Sequence, residues 1–85
     1  MLYMVRAEHM NQLALDTLVG RIDSTDAGYV IGWGMDQTFT GFAKLIVEVD
    51  TADEVPALIE MVHSINGGAE ATSRELTEEE EEEYL

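Results

Sequence analysis

No cysteine occurs among the 85 residues, so neither a disulfide nor a thiolate metal site can reinforce the fold. Basic residues are scarce: four Lys and Arg stand against 18 Asp and Glu, a net charge of −14. Such a surface repels nucleic acid phosphates and anionic lipid headgroups, and it attracts cations and basic protein partners. High net charge also serves solubility alone, in a salty or crowded cell. No run of apolar residues approaches the length of about 18 that a membrane-spanning helix needs. Met1 to Ala7 lacks the basic flank and long apolar run of a secretory leader, and the expectation is a cytoplasmic protein.

Apolar residues make up 46% of the chain, too many for a wholly disordered polypeptide. A chain this short builds one core, with a net stability of about 3 to 5 kcal/mol, so self-association is a reasonable way to bury more surface. The charge is unevenly placed. Half of it lies from Glu75 to Leu85, a stretch with seven acidic residues and no basic one. The expected organisation is one domain over residues 1–76 and an acidic tail over 77–85.

Leu2 to Arg6 is short and mostly apolar, as a buried strand is. Leu15, Leu18, Val19 and Ile22 fall at i, i+3, i+4 and i+7 and share one helical face. The spacing predicts a helix over Asn11 to Arg21, with Asn11 as its N-cap and Gly20 weakening its end. Met10 and Leu13 point away from that stripe, a hint of a contact site. Asp23 to Gly28 is a run of turn formers. Tyr29, Ile31 and Trp33 alternate with Val30, Gly32 and Gly34, a strand with bulk on one face only. A turn through Met35 to Thr38 leads to a longer strand, Phe39 to Asp50. Its apolar set is Ala43, Leu45, Val47 and Val49, and its opposite set is Phe42, Lys44, Ile46 and Glu48.

Val55, Leu58, Ile59, Val62 and Ile65 define a second helix. Thr51 with Glu54 reads as a capping box, but Asp53 as cap places Pro56 in the first turn, where no N–H is needed, and is preferred. Gly67 and Gly68 supply a left-handed stop, and Ala69 to Arg74 returns as a last strand. The order β-α-β-β-α-β predicts a ferredoxin-like α+β sandwich: a four-stranded antiparallel sheet with two helices on one face. The opposite face then carries Phe42, Ile46 and Val30. It is expected to associate with another copy, through the face itself or an edge strand, unless the tail or loops cover it.

The stretch from Phe42 to Leu76, FAKLIVEVDTADEVPALIEMVHSINGGAEATSREL, resembles the strand-helix-strand half of an ACT-type regulatory domain: a strand ending in an acidic residue, an amphipathic helix, glycine, and a final strand. The first half departs from that pattern. Where the family's ligand loop carries a glycine turn, this chain has Ala7-Glu8-His9-Met10-Asn11, so no ligand residues carry over.

Chemistry-bearing residues are few. His9 and His63 are the only histidines; His63 flanks the second helical stripe, while His9, beside Glu8 at the end of the first strand, is the better ligand contact. Asp23 and Asp26 lack the alternating ligands of a calcium loop and read as turn caps. Gly32-Trp33-Gly34 precedes a turn rather than a helix N-terminus, which removes a phosphate-binding role and leaves a bulge or a close approach of ligand or chain. Trp33 anchors the core or a partner, with the core preferred. Arg6 alone makes no anion loop of the acylphosphatase kind. Thr77 can cap a helix, yet repeated glutamates at i+4 oppose its growth, so the tail is expected to be disordered.

Two functions follow as expectations. One is a non-catalytic module that binds a small ligand or a protein and works as a homo-oligomer, with no metal and no cofactor. Its contact residues are His9, Asn11, Gly32, Trp33, Gly34, Phe42 and Ile46. The other is an acidic inhibitor or decoy that occupies a basic nucleic-acid-binding surface of another protein, as small phage-encoded antagonists do.

Overall fold

In a computed structural model that describes residues 1–25, 28–38 and 40–84, β1 (Leu2–Ala7) is followed by α1 (Gln12–Asp23), β2 (Tyr29–Met35), β3 (Ala43–Glu48), α2 (Val55–Asn66), β4 (Ala71–Glu75) and α3 (Glu78–Tyr84). The strands form one antiparallel sheet in the order β2-β3-β1-β4, the ferredoxin-like arrangement. Both long helices seat on the same face. Leu15, Leu18, Val19 and Ile22 of α1 and Val55, Leu58 and Val62 of α2 meet Val5, Ala7, Ala43, Leu45 and Val47 in one apolar core. Each helix is only 12 residues long, too short to persist alone in water, so this packing is what holds them helical.

The helix ends follow local chemistry. Asn11 is extended, and its side-chain oxygen accepts from Ala14 N–H at 2.8 Å, as an N-cap does. Helix α1 continues past Gly20 to Asp23. A 3-10 turn over Ala52–Glu54 leads into α2, and Glu54 rather than Asp53 stands at the α-helical boundary. The extended residue that begins the helical run is Thr51, and the Glu54 carboxylate reaches back to accept from Asp50 N–H at 3.1 Å. The tight turn lets α2 start late enough that Pro56 still falls in its first turn, where a missing N–H costs nothing. Gly67, at φ 71°, stops α2 in the left-handed conformation. Asn66, just before it, is buried. Its Nδ2 donates to Glu8 O at 3.0 Å and Ala69 O at 3.3 Å, and its Oδ1 accepts from Gly68 N–H at 3.2 Å, tying the end of α2 to the turn just past β1 and to the turn that leads into β4.

Several expectations are corrected. The described residues contain a third helix, α3, where two were predicted and where like charges were expected to leave the tail without order. Strand β3 covers Ala43–Glu48 only; Thr40 and Gly41 belong to a turn, and Phe39 lies outside the described residues. Met10 is buried at 3% exposure, because the chain folds back there and Met10 N–H donates to Gly41 O at 2.9 Å. Leu13 alone is exposed as predicted. In β2 the pairing shifts between Val30 and Gly32: Val30 pairs with Val47 and Gly32 with Ile46, leaving Ile31 as an extra residue. The bulge inverts the alternation before it, so Val30 lies in the helix-side core instead of on the opposite face.

The core fixes one stability prediction. Leu58 is fully buried, and Leu58→Ala should cost about 3 kcal/mol in urea unfolding, whereas Leu13→Ala should stay within about 0.5 kcal/mol. Equal costs at the two positions would contradict this packing.

Candidate functional site

The sheet face turned away from α1 and α2 is built in rows, because directly paired residues share a face. One row runs Arg74, Met4, Ile46, Gly32 from β4 to β2, and the next runs Thr72, Arg6, Lys44, Gly34. Three of the four basic residues of the chain, Arg6, Lys44 and Arg74, therefore stand on this one face. The fourth, Arg21, lies on α1 and donates to Ser64 at 3.2 Å.

Leu2, Ile46 and Leu76 form a small second core on this face, with Met4 and Ile31 packed against it. Leu76 N–H donates to Leu2 O at 2.9 Å, which carries the chain over the sheet and into α3. The start of α3 is a reciprocal capping box: Glu80 N–H donates to the Thr77 hydroxyl at 3.3 Å, and Thr77 N–H donates to the Glu80 carboxylate at 3.1 Å. That same carboxylate receives Arg74 in a two-pronged pair at 2.7 and 2.8 Å. The expected cap at Thr77 is thus present, and a guanidinium on the sheet offsets part of the repulsion that opposed the helix.

At the other end of the face Asp36, just past β2, gathers the remaining cations. Arg6 donates to it at 3.4 Å and Lys44 lies 3.8 Å away, while its second oxygen accepts from Thr38 N–H at 2.8 Å. Arg6 also lies over the Phe42 ring, 4.8 Å from its centre. This ridge separates two clefts. A smaller one of about 330 Å³ is lined by Arg6, Glu8, Phe42, Glu70 and Thr72. A larger trough of about 480 Å³ includes Met4, Gly32, Gly34, Lys44, Ile46 and, from α3, Tyr84 in its lining.

Four of the seven contact residues expected from the sequence, Gly32, Trp33, Gly34 and Ile46, come together at the trough, and Phe42 lines the neighbouring cleft. Trp33 pairs with Leu45 and so faces the helix side, but on the edge strand it remains 51% exposed instead of lying in the core. Asn11 lines neither cleft, and its side-chain oxygen is engaged as the α1 cap. His9 is exposed in the β1–α1 turn at φ 55°, and His63 is exposed on α2. Asp23 accepts from Val30 N–H at 3.4 Å, the turn role foreseen for it; its expected companion Asp26 lies outside the described residues. Gly28 has a packing reason: a Cβ there would stand 2.9 Å from Val47. Sequence reasoning missed Met4, Asp36 and Tyr84, which only the strand register and the third helix bring to the trough. No protein family, curated protein or solved structure matches the chain.

The Arg74 pair has a titration signature. The guanidinium hydrogen bonds, then the Thr77 N–H, hold the Glu80 carboxyl at about 2 against an ordinary 4.5, and Glu80 in turn raises Arg74. A depressed acid stabilises its docked state fully above about 4.5, and that contribution is lost as pH falls through about 2. Carboxyl carbon NMR should find Glu80 titrating near 2, well below the ordinary value. A Glu80 midpoint at the ordinary value would show that α3 is not held by Arg74.

Proposed function

We propose that the chain is a non-catalytic binding module whose ligand lies in the trough on the open sheet face. The ligand class is a small molecule with a flat apolar body and an anionic end. Gly32 and Gly34 leave the trough floor flat beside Met4 and Ile46, and Lys44, half-exposed and sharing Asp36 with Arg6, offers a cation at its side.

One observation carries the reading. A Cβ added to Gly32 or Gly34 meets nothing within 4 Å, and neither glycine has a positive φ. Glycine inside a strand costs about 0.5 to 1 kcal/mol relative to alanine, and here neither packing nor backbone conformation requires it. A bare floor is useful to a molecule that must lie against the backbone. The test uses anilinonaphthalene sulfonate, a flat apolar anion, as the probe. It should bind at one site with enhanced fluorescence. Gly34→Val should raise stability by about 0.5 to 1 kcal/mol while abolishing that binding. Undiminished binding to the folded variant would remove the trough from consideration.

The acidic-decoy reading also draws on a specific feature: Glu78, Glu79, Glu82 and Glu83 are exposed on a helix, an ordered row of negative charge. A decoy should capture a basic nucleic-acid-binding protein. Raising salt or deleting residues 78–83 should weaken that capture sharply, because the attraction is Coulombic and screened. A salt-independent affinity would exclude it.

A further inference from the structure

Strand β2 is the outermost strand of the sheet, with β3 on one side only. An open edge presents unpaired N–H and C=O groups that template pairing with another strand, and proteins usually blunt such edges with charge, proline or a bulge. The two edges here differ. The β4 edge carries Arg74 and Glu75 and runs straight into the glutamates of α3. Residues 28–35 contain no charged residue and no proline, in a chain where 26% of residues are charged. Two devices blunt the start of β2, the bulge at Ile31 and the Asp23 carboxylate that accepts from Val30 N–H at 3.4 Å, and beyond them Gly32 to Met35 pair regularly with β3.

Two aromatic side chains flank this edge. Tyr29, 66% exposed, pairs with Glu48 on the open face, and Trp33, 51% exposed, pairs with Leu45 on the helix side. Each face of the sheet thus brings one large, half-solvated ring to the same border.

Charge selects the partner. Two copies, each at −14, repel, and in a two-fold contact the residues nearest the axis meet their own counterparts. The axis of a two-fold contact on this chain is therefore best placed on a stretch free of carboxylates; Gly32 to Met35 is such a stretch, whereas the Tyr29 end of β2 lies beside Asp23, Glu48, Asp50 and Glu54, and β4 carries Glu75. Pairing β2 with β4 of another copy would be head-to-tail and would bring the uncharged edge against a charged one. We infer that the outer edge of β2 pairs antiparallel with the β2 edge of a second copy, across a two-fold axis. The product is one continuous eight-stranded sheet, with Trp33 and Tyr29 covered at the seam.

Trp33 is the only tryptophan, so its fluorescence reports on the seam directly. Sedimentation equilibrium of the full chain should show a monomer–dimer equilibrium that tightens with added salt as repulsion is screened. Trp33 emission should move to shorter wavelength in step with the dimer fraction. Trp33→Glu and Tyr29→Glu each add negative charge to the seam and should weaken the dimer by about tenfold or more, with circular dichroism unchanged. If Trp33→Glu fails to fold, Tyr29→Glu decides alone. A monomer at every concentration, a dimer with unshifted Trp33 emission, or a dimer that survives substitution in a folded variant would each overturn the inference.

Discussion

Everything in this molecule depends on one apolar contact: the helix-side row of β3 pressed beneath α1 and α2. Ala43, Leu45 and Val47 have no exposed surface, and Leu15, Leu18 and Leu58 above them are equally closed to water. An 85-residue chain has material for one such layer. Without a disulfide to constrain the unfolded state, that layer is the main source of stability, and the strands are registered so that it is uninterrupted.

Committing one face of the sheet to the core frees the other for a different task. Repulsion among many carboxylates favours concentrating the few cations where they can each meet an anion, and the open face does this at two points. Asp36 receives Arg6 and Lys44 at one end, and Glu80 receives Arg74 at the other. The Asp36 carboxylate is nearly buried beneath its cations, whereas the solvent-exposed Arg74–Glu80 pair contributes little to global stability, and both set position. The first fixes the ridge between the clefts, and the second holds α3 where Tyr84 can reach the trough. The glutamate-rich tail is therefore part of the architecture of that face. Its charge still points largely into solvent.

The helical half of the fold was legible because its signals are local. A 3.6-residue stripe marks Leu15 to Ile22, Asn11 stands where an N-cap must, and Gly67 where a left-handed stop is needed. The strand order followed from the alternation of elements. What stayed hidden depends on register or on distant partners. The bulge at Ile31 leaves no periodic mark, yet it moves Val30 to the core face. Met10 reads as a loose residue ahead of a cap, and its burial comes from the turn at Gly41, far along the chain. The tail reads as self-repelling glutamate until Arg74, on a strand, is placed beneath Glu80. For the candidate site, Gly32, Gly34 and Ile46 could be picked out by type, but their meeting with Met4 and Lys44 required the pairing of three strands.

The division of labour between the two faces is the central claim, and native-state hydrogen exchange tests it most directly. Amides of β1 and β3 should exchange only through global unfolding, and those of α3 through a local opening of much lower free energy that leaves the sheet intact. Equal protection of α3 and β3 would mean that the open face is as much a part of the cooperative core as the helix side, and would contradict the account.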